Sequence, residues 1–422
     1  MGTPGTFAVA RWLAAHPPSS CGVVHVSQPQ LLIGWTKAAA ATASGGASGG
    51  STDGKYSYGD VTGLLPFSPP RLPASLDSVT YIPKDEGEDV GVEAVVRAAA
   101  AALGRGARLG DTCEVLSYRN NFNKLFGTAF DRRAAWAIDA CLLPPSGGPS
   151  AAATSSSALG STGGGASPPQ GGVLFLDIVK EGQEAWRGDP ADQDRFTRWG
   201  YSFEALCTSQ AVADPSSEFG VLLRTRLAAH RVLLGAEVDC YDPQHAQQAQ
   251  QEAQQAGQPG ALPLEHVSQE RQEGPWLDSF LELKTYRLPS HPRQQRTIYQ
   301  HKHPKWWLQA RSFLAGVPRL ALGARDDQGT IHRIDTVLTE DLPRISASHS
   351  VPFSPNQALL FGSEALGWMR REAAARPGQH LRFSYAGSEA GGDVGGMSCN
   401  VLAGGQLPER LQRCLAVCGL SV

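Results

Sequence analysis

No stretch of this chain is apolar for long enough to cross a bilayer as a helix, which takes about 20 consecutive residues, so no membrane is expected among its partners. Charge of one sign is also lacking. Lys and Arg total 37 against 40 Asp and Glu, a formal net charge of -3, so any nucleic-acid contact must come from a local patch. None of the eight cysteines (21, 113, 141, 207, 240, 399, 414, 418) stands in a CxxC pair. That spacing excludes a zinc ribbon or disulfide framework and suits reduced core thiols. The first 52 residues hold no Asp or Glu, yet Arg11 and Lys37 alone supply positive charge there, too little for a transit peptide. No basic cluster marks a nuclear signal, so composition does not place the chain in a compartment.

What is present is patterned sequence broken by three low-complexity stretches. Residues 38–52 (Ala, Gly, Ser), 144–172 (Ser, Gly, Pro, Ala) and 243–274 (Gln, Ala, Glu) carry too little apolar content to pack. They are expected as flexible insertions, the last partly helical because Gln and Ala favour helix. The last also falls between two acidic motifs and must loop out from neighbouring strands, which argues for a single domain over 1–422. Elsewhere, apolar patterning predicts strands over 113–119, 171–179, 219–228, 231–240, 279–287, 319–325, 332–339 and 380–386. Helices are predicted over 131–143, with Asp131 as N-cap, and over 191–209, 305–316 and 354–376. A Pro-rich segment over 66–86 reads as extended surface chain. The fold class is α/β (α+β), a central mixed sheet flanked by helices.

Three acidic motifs carry the chemistry. Glu237 and Asp239 in GAEVDC, and Glu282 and Lys284 in LELK, sit in strand-like runs two residues apart, so each pair shares a face while Val238 and Leu283 point to packing. Glu204 in GYSFE borders an apolar helical stripe of Phe196, Trp199, Phe203 and Leu206. Each fragment alone fits a solvated face. Set among buried-looking flanks, however, acids cost several kcal/mol unless paired or metal-bound. Oxygen donors of this kind suit Mg2+ or Mn2+, and a lysine two residues past a ligand stabilises a hydroxide or developing phosphoryl charge.

Two further features bear positive charge. RQQRTIYQHKHPKWW concentrates Arg293, Arg296, His301, Lys302, His303 and Lys305 with Tyr299, Trp306 and Trp307, a pattern that suits single-stranded RNA. A core role is the commoner fate of paired tryptophans, whereas for the basic residues a solvated face and an RNA contact weigh about evenly. Arg119, after CEVLSY, could fork onto a phosphate, and Arg224 could face the groove or solvent.

In this order, SYRNNFNK, GYSFE, GAEVDC and LELK, supported by LLRTRL, YQHKHPKWWLQ and SFLAGVPRLALGARDDQG, resemble the DXO family of RNA 5′-end decapping exonucleases from about residue 28 to 338. The resemblance implies a restriction-endonuclease-like nuclease core and a divalent metal, Mg2+ or Mn2+, as two ions. It implies metal ligation by Glu204, Asp239, Glu282 and the Leu283 carbonyl, with Glu237 acting through water. Lys284 and Gln309 would orient the attacking water and phosphate, and Arg119 would hold the RNA 5′ end; Arg224, Lys302 and Lys305 stay candidate substrate contacts from the residue pattern alone. The implied activities are release of pyrophosphate from 5′-triphosphate RNA, removal of incomplete or NAD caps as whole units, and 5′–3′ digestion. A 5′–3′ exoribonuclease is the implied partner, in nucleus or cytoplasm. Two other readings stay open, a stabilising partner of that exoribonuclease with little activity, and a DNA-processing nuclease sharing the fold. Ala310 and Arg311 stand where the family runs directly into SFLAGV. Two extra residues turn a helix by about 200°, which makes Gln309 the assignment most sensitive to register.

Overall fold

The computed structural model describes residues 5–37, 56–83, 91–146, 171–179, 190–255, 276–310, 316–387 and 395–422. The insertion over 38–52, most of that over 144–172 and the part of the third from 256 onward lie outside them. The start of the third, Pro243–Gln255, is a helix.

The larger strands, in chain order, are β1 (Gln30–Lys37), β2 (Val115–Tyr118), β3 (Trp136–Leu143), β4 (Val173–Ile178), β5 (Glu218–Leu227), β6 (His230–Glu237), β7 (Phe280–Arg287), β8 (Arg319–Arg325), β9 (Thr330–Leu338), β10 (Leu381–Tyr385) and β11 (Met397–Val401). Among the described residues they form two mixed sheets. The first runs Thr6–Phe7, β11, β10, β3, β4, β2, β6, β5, β1, Tyr56–Tyr58, with β4, β2 and β6 parallel. The second runs Cys240–Tyr241, β7, β8, β9, Ala74–Ser75, with β7 and β8 parallel. The main helices are α1 (Glu93–Leu103), α2 (Arg119–Gly127), α3 (Pro190–Cys207), α4 (Pro243–Gln255), α5 (His303–Ala310), α6 (Pro355–Ala374) and α7 (Leu407–Cys418).

Alternation places the cores. On β6, Val232, Leu234 and Ala236 join the apolar cluster shared with α5 and α6, whereas Leu233 joins the one under α1 and α7. A third cluster packs Trp199 and Phe203 of α3 on Leu281, Leu283 and Ala321 of the second sheet. Gly323 permits this contact, because a Cβ there would stand 2.5 Å from the Phe203 ring.

Four expectations are corrected. Residues 131–143 hold strand β3, paired on both sides, and Asp131 takes the Arg133 amide in a turn; sheet pairing overrides the helix preference of its alanines. The run over 231–240 breaks after Glu237, and Cys240–Tyr241 pairs in the other sheet, leaving Val238 and Asp239 as the crossing between them. Arg119 opens a helix where the sequence suggested a strand end. The 66–86 segment is pinned over its described part, with Leu76 and Val79 buried. Helix α5 is described as far as Ala310, and 311–315, with the register after Gln309, lie outside the described residues.

Candidate active site

The acids meet where the two sheets face each other. Cys240–Tyr241 covers only the start of β7, pairing with Leu281 and Phe280, so beyond Leu281 no strand among the described residues pairs with that edge. Leu283 uses this edge twice. Its N–H donates to Asp239 Oδ2 at 2.7 Å, and its carbonyl accepts from Lys284 Nζ at 3.0 Å. Lys284 Nζ also stands 2.8 Å from Glu282 Oε1 and 3.5 Å from Asp239 Oδ2. From the first sheet, Arg119 reaches Glu282 Oε2 at 3.1 Å and donates to the Gln309 main-chain oxygen at 3.2 Å. Arg119, Asp239, Glu282, Leu283, Lys284 and Gln309 are thus joined by direct bonds.

Glu204 and Glu237 line a groove of about 460 Å³ with Asp239. Glu237, at the exposed end of β6, reaches this groove together with Tyr201, Thr208, Gln210, Asp214 and Glu218, which the sequence did not single out. Nothing in their local pattern marks them; they meet only when α3 docks beside the sheet crossing.

Electrostatics separates these acids. Burial works to raise the Glu282 carboxyl, but Arg119 and Lys284, by charge and hydrogen bond, bring it down to about 2. Glu204 goes the other way. Burial pushes its carboxyl well up, and Asp239, Glu237 and Glu282 add to this against Lys284. Asp239 is also raised, by burial first, with Lys284, the Leu283 amide and Arg119 opposing. Burial disfavours the charged Lys284 ammonium, yet Asp239, Glu282 and Glu204 hold it protonated.

Four carboxyl groups share two cationic side chains, and with all four ionised the cluster would be short of about two positive charges. An all-oxygen donor set with that deficit fits a hard divalent cation. As the side chains stand, no three acidic, His or Cys groups among the described residues are arranged around one point, because Lys284 lies between Glu282 and Asp239.

The remaining expected substrate residues are placed differently. Arg224 is exposed on β5, bonded through Nε to Gln30 Oε1 at 3.1 Å. Gly220 is the β5 residue opposite Glu237, so Arg224 stands four residues, about 13 Å, further along and is not gathered with the acids. Lys305 and Lys302 are exposed on one continuous helical run, a π-type turn over Ile298–Lys302 leading into α5, whose last turn carries Gln309. Trp306 and Trp307 are core, 4% and 1% exposed. His303 is buried against Ser346 at 2.9 Å.

Comparison with known proteins agrees with this architecture. Residues 170–407 match the model of the family described as RAI1 like PD-(D/E)XK nuclease. The chain is 24% identical over 341 residues to the decapping nuclease RAI1 of Aspergillus fumigatus, covering 75% of this chain and 78% of that one. It is 27% identical over 212 residues to the decapping and exoribonuclease protein of Xenopus laevis, covering 48% of this chain and 45% of that one. With the Drosophila melanogaster decapping and exoribonuclease protein Rai1 it is 34% identical over 157 residues, about a third of each chain. Its fold resembles that of Schizosaccharomyces pombe Rai1 in complex with 3′-FADP (TM-score 0.60, 19% identity, 90% and 96% of the two chains). It likewise resembles Candida albicans Rai1 in complex with pU5-Mn2+ (TM-score 0.61, 16% identity, 93% of each chain). With more than half its length matched, a mixed-sheet fold in common and its acids gathered at one strand edge, the chain belongs to the RAI1-like PD-(D/E)XK nuclease family.

Proposed function

We propose that this protein is a divalent-metal-dependent hydrolase of RNA 5′ ends, which releases pyrophosphate from 5′-triphosphate RNA, removes incomplete or NAD caps as intact units, and digests the exposed RNA 5′–3′. The observation that carries this reading is the cluster of Glu204, Glu237, Asp239 and Glu282 around two cations among the described residues, Lys284 and Arg119. The names of the decapping relatives and the pU5-Mn2+ complex of a structural neighbour support the substrate class.

Glu204, Asp239, Glu282 and the Leu283 carbonyl would hold the metal, with Glu237 contributing through water. A bound Mg2+ or Mn2+ supplies Lewis-acid charge at the phosphate and makes a bound water easier to deprotonate. Lys284, held protonated by three carboxylates, offers its ammonium to the phosphate oxygens. Arg119 forks onto the 5′ phosphate while anchored on Glu282. Gln309, in the last turn of α5 beside Arg119, orients the attacking water.

The test is product analysis on 5′-labelled RNAs bearing a triphosphate, an unmethylated cap or an NAD cap, with Mg2+ or Mn2+. Pyrophosphate, cap dinucleotide or NAD should be released as a unit, and Asp239→Ala or Glu282→Ala should cut turnover at least about 100-fold. Full activity in excess EDTA would overturn the metal dependence. Equal cleavage of single-stranded DNA would overturn the RNA assignment.

A further inference from the structure

Lys284 stands among the oxygens assigned above to the metal. Its Nζ lies 2.8 Å from Glu282 Oε1, donates to the Leu283 carbonyl at 3.0 Å and lies 3.5 Å from Asp239 Oδ2. These oxygens belong to three of the four groups that would hold the ion, Glu204 being the fourth. An ammonium keeps its oxygens at hydrogen-bond distance, whereas Mg2+ draws them in to about 2.0–2.1 Å. The same oxygens cannot satisfy both cations at once.

The surroundings decide which member of this group can move. The Glu282 and Asp239 side chains are 2% and 7% exposed, and each is tied a second time. Glu282 accepts from Arg119 through Oε2, and Asp239 accepts from the Leu283 N–H through Oδ2. The Leu283 carbonyl belongs to β7, which pairs with β8 from Leu281 to Arg287. The Lys284 side chain is 24% exposed and ends a flexible four-carbon stem. It can swing clear without disturbing the sheet, and the oxygens cannot part around it. Buried carboxylates that lose one cation must take another, because a buried charge without a counter-charge is strongly destabilising.

We infer that Lys284 is the resident counter-ion of the metal seat: its ammonium and the divalent cation are alternative occupants, and Lys284 leaves as the ion enters. The exchange sets an order of events. Lys284 holds Glu282 and Asp239 in place until the ion takes them over, and only then is its ammonium free for phosphate oxygens. Metal affinity is accordingly weaker than the donor set alone would give. The inference rests on the metal dependence proposed above and adds to it a competition between lysine and ion.

The test reads metal binding without RNA, so that it stands apart from turnover. Mn2+ is titrated calorimetrically into the full chain after EDTA treatment and dialysis. Lys284→Gln should bind Mn2+ about 10-fold more tightly than wild type, because one like charge is gone from the seat, and Lys284→Arg, which keeps the charge, should not. In the wild-type protein, Mn2+ should raise acetylation of Lys284 by acetic anhydride at least about 2-fold, read by peptide mass spectrometry, as the side chain moves into solvent. This second measurement needs no variant to fold. Equal or weaker Mn2+ binding by folded Lys284→Gln, or Lys284 labelling that stays level or falls, would overturn the exchange. If both effects appear but no RNA is hydrolysed, the proposed function fails and the exchange stands. If RNA is hydrolysed with Mn2+ while neither effect appears, the reverse holds. A protein that binds no Mn2+ ends both.

Discussion

Arg119 and Glu282 stand 163 positions apart in the chain and 3.1 Å apart in space, one opening a helix beside the first sheet and the other buried in a strand of the second. Glu282 is 1% exposed, so removing its guanidinium partner leaves a buried carboxylate with Lys284 alone. Arg119→Ala should lower stability by about 3 kcal/mol, measured as a urea midpoint, in addition to impairing use of 5′-phosphorylated RNA. Arg119→Lys should restore part of the stability but little of the activity, because an ammonium cannot fork onto a phosphate. Full activity of the Lys variant would argue against the 5′-phosphate role.

Gly323 lets Phe203 seat against the second sheet one residue before Glu204. Gly323→Ala should cost about 1–3 kcal/mol through overpacking. It should also lower turnover at saturating RNA by displacing α3. A variant that loses stability while keeping wild-type turnover would show that Glu204 does not depend on this contact.

His303 gives a pH dependence with a defined sign. Burial pushes its imidazole from 6.5 down to about 4, against a backbone hydrogen bond at Leu342. The unfolded chain therefore takes up this proton first. Stability falls as pH drops from about 6.5 towards 4, and is unaffected by this group above that window. His303→Gln should flatten that part of the urea-midpoint profile between pH 7 and pH 4.5. An unchanged slope would place the acid sensitivity elsewhere.

Far from the acids, Arg410 of α7 bonds Glu93 at 2.7 Å through two nitrogens and reaches Asp177 at 3.3 Å. Asp177 is 5% exposed and accepts from the Val92 amide. Arg410→Ala should destabilise by about 2–3 kcal/mol while turnover per folded molecule is unchanged. A specific activity loss would show that α7 communicates with the site.

The sequence disclosed the acids because each motif is local: two residues on one strand face, or one beside a helical stripe. Their neighbours were legible for the same reason, and the strands over 319–325 and 380–386 fell within a residue of their observed bounds. Residues 131–143 misled because Ala and Asp are ambiguous when read singly, and only pairing with β4 and β10 makes them strand. Asn123 and Lys124 close the SYRNNFNK motif, yet only Arg119 took a role there, since the cavity they line exists only where α2 packs beside α5. Arg224 has the residue type for a phosphate contact, but its position along β5 sets it apart from the acids.

The chain leaves one sheet at Glu237 and enters the other at Cys240, with Asp239 in the step between. Asp239 also binds the Leu283 amide, so it is a hinge pin as well as an acid. The angle between the sheets and the spacing of the carboxylates are then a single mechanical coordinate. A ligand that draws Glu204, Asp239 and Glu282 together acts as a rivet across that joint, raising the unfolding temperature with ligand concentration by mass action.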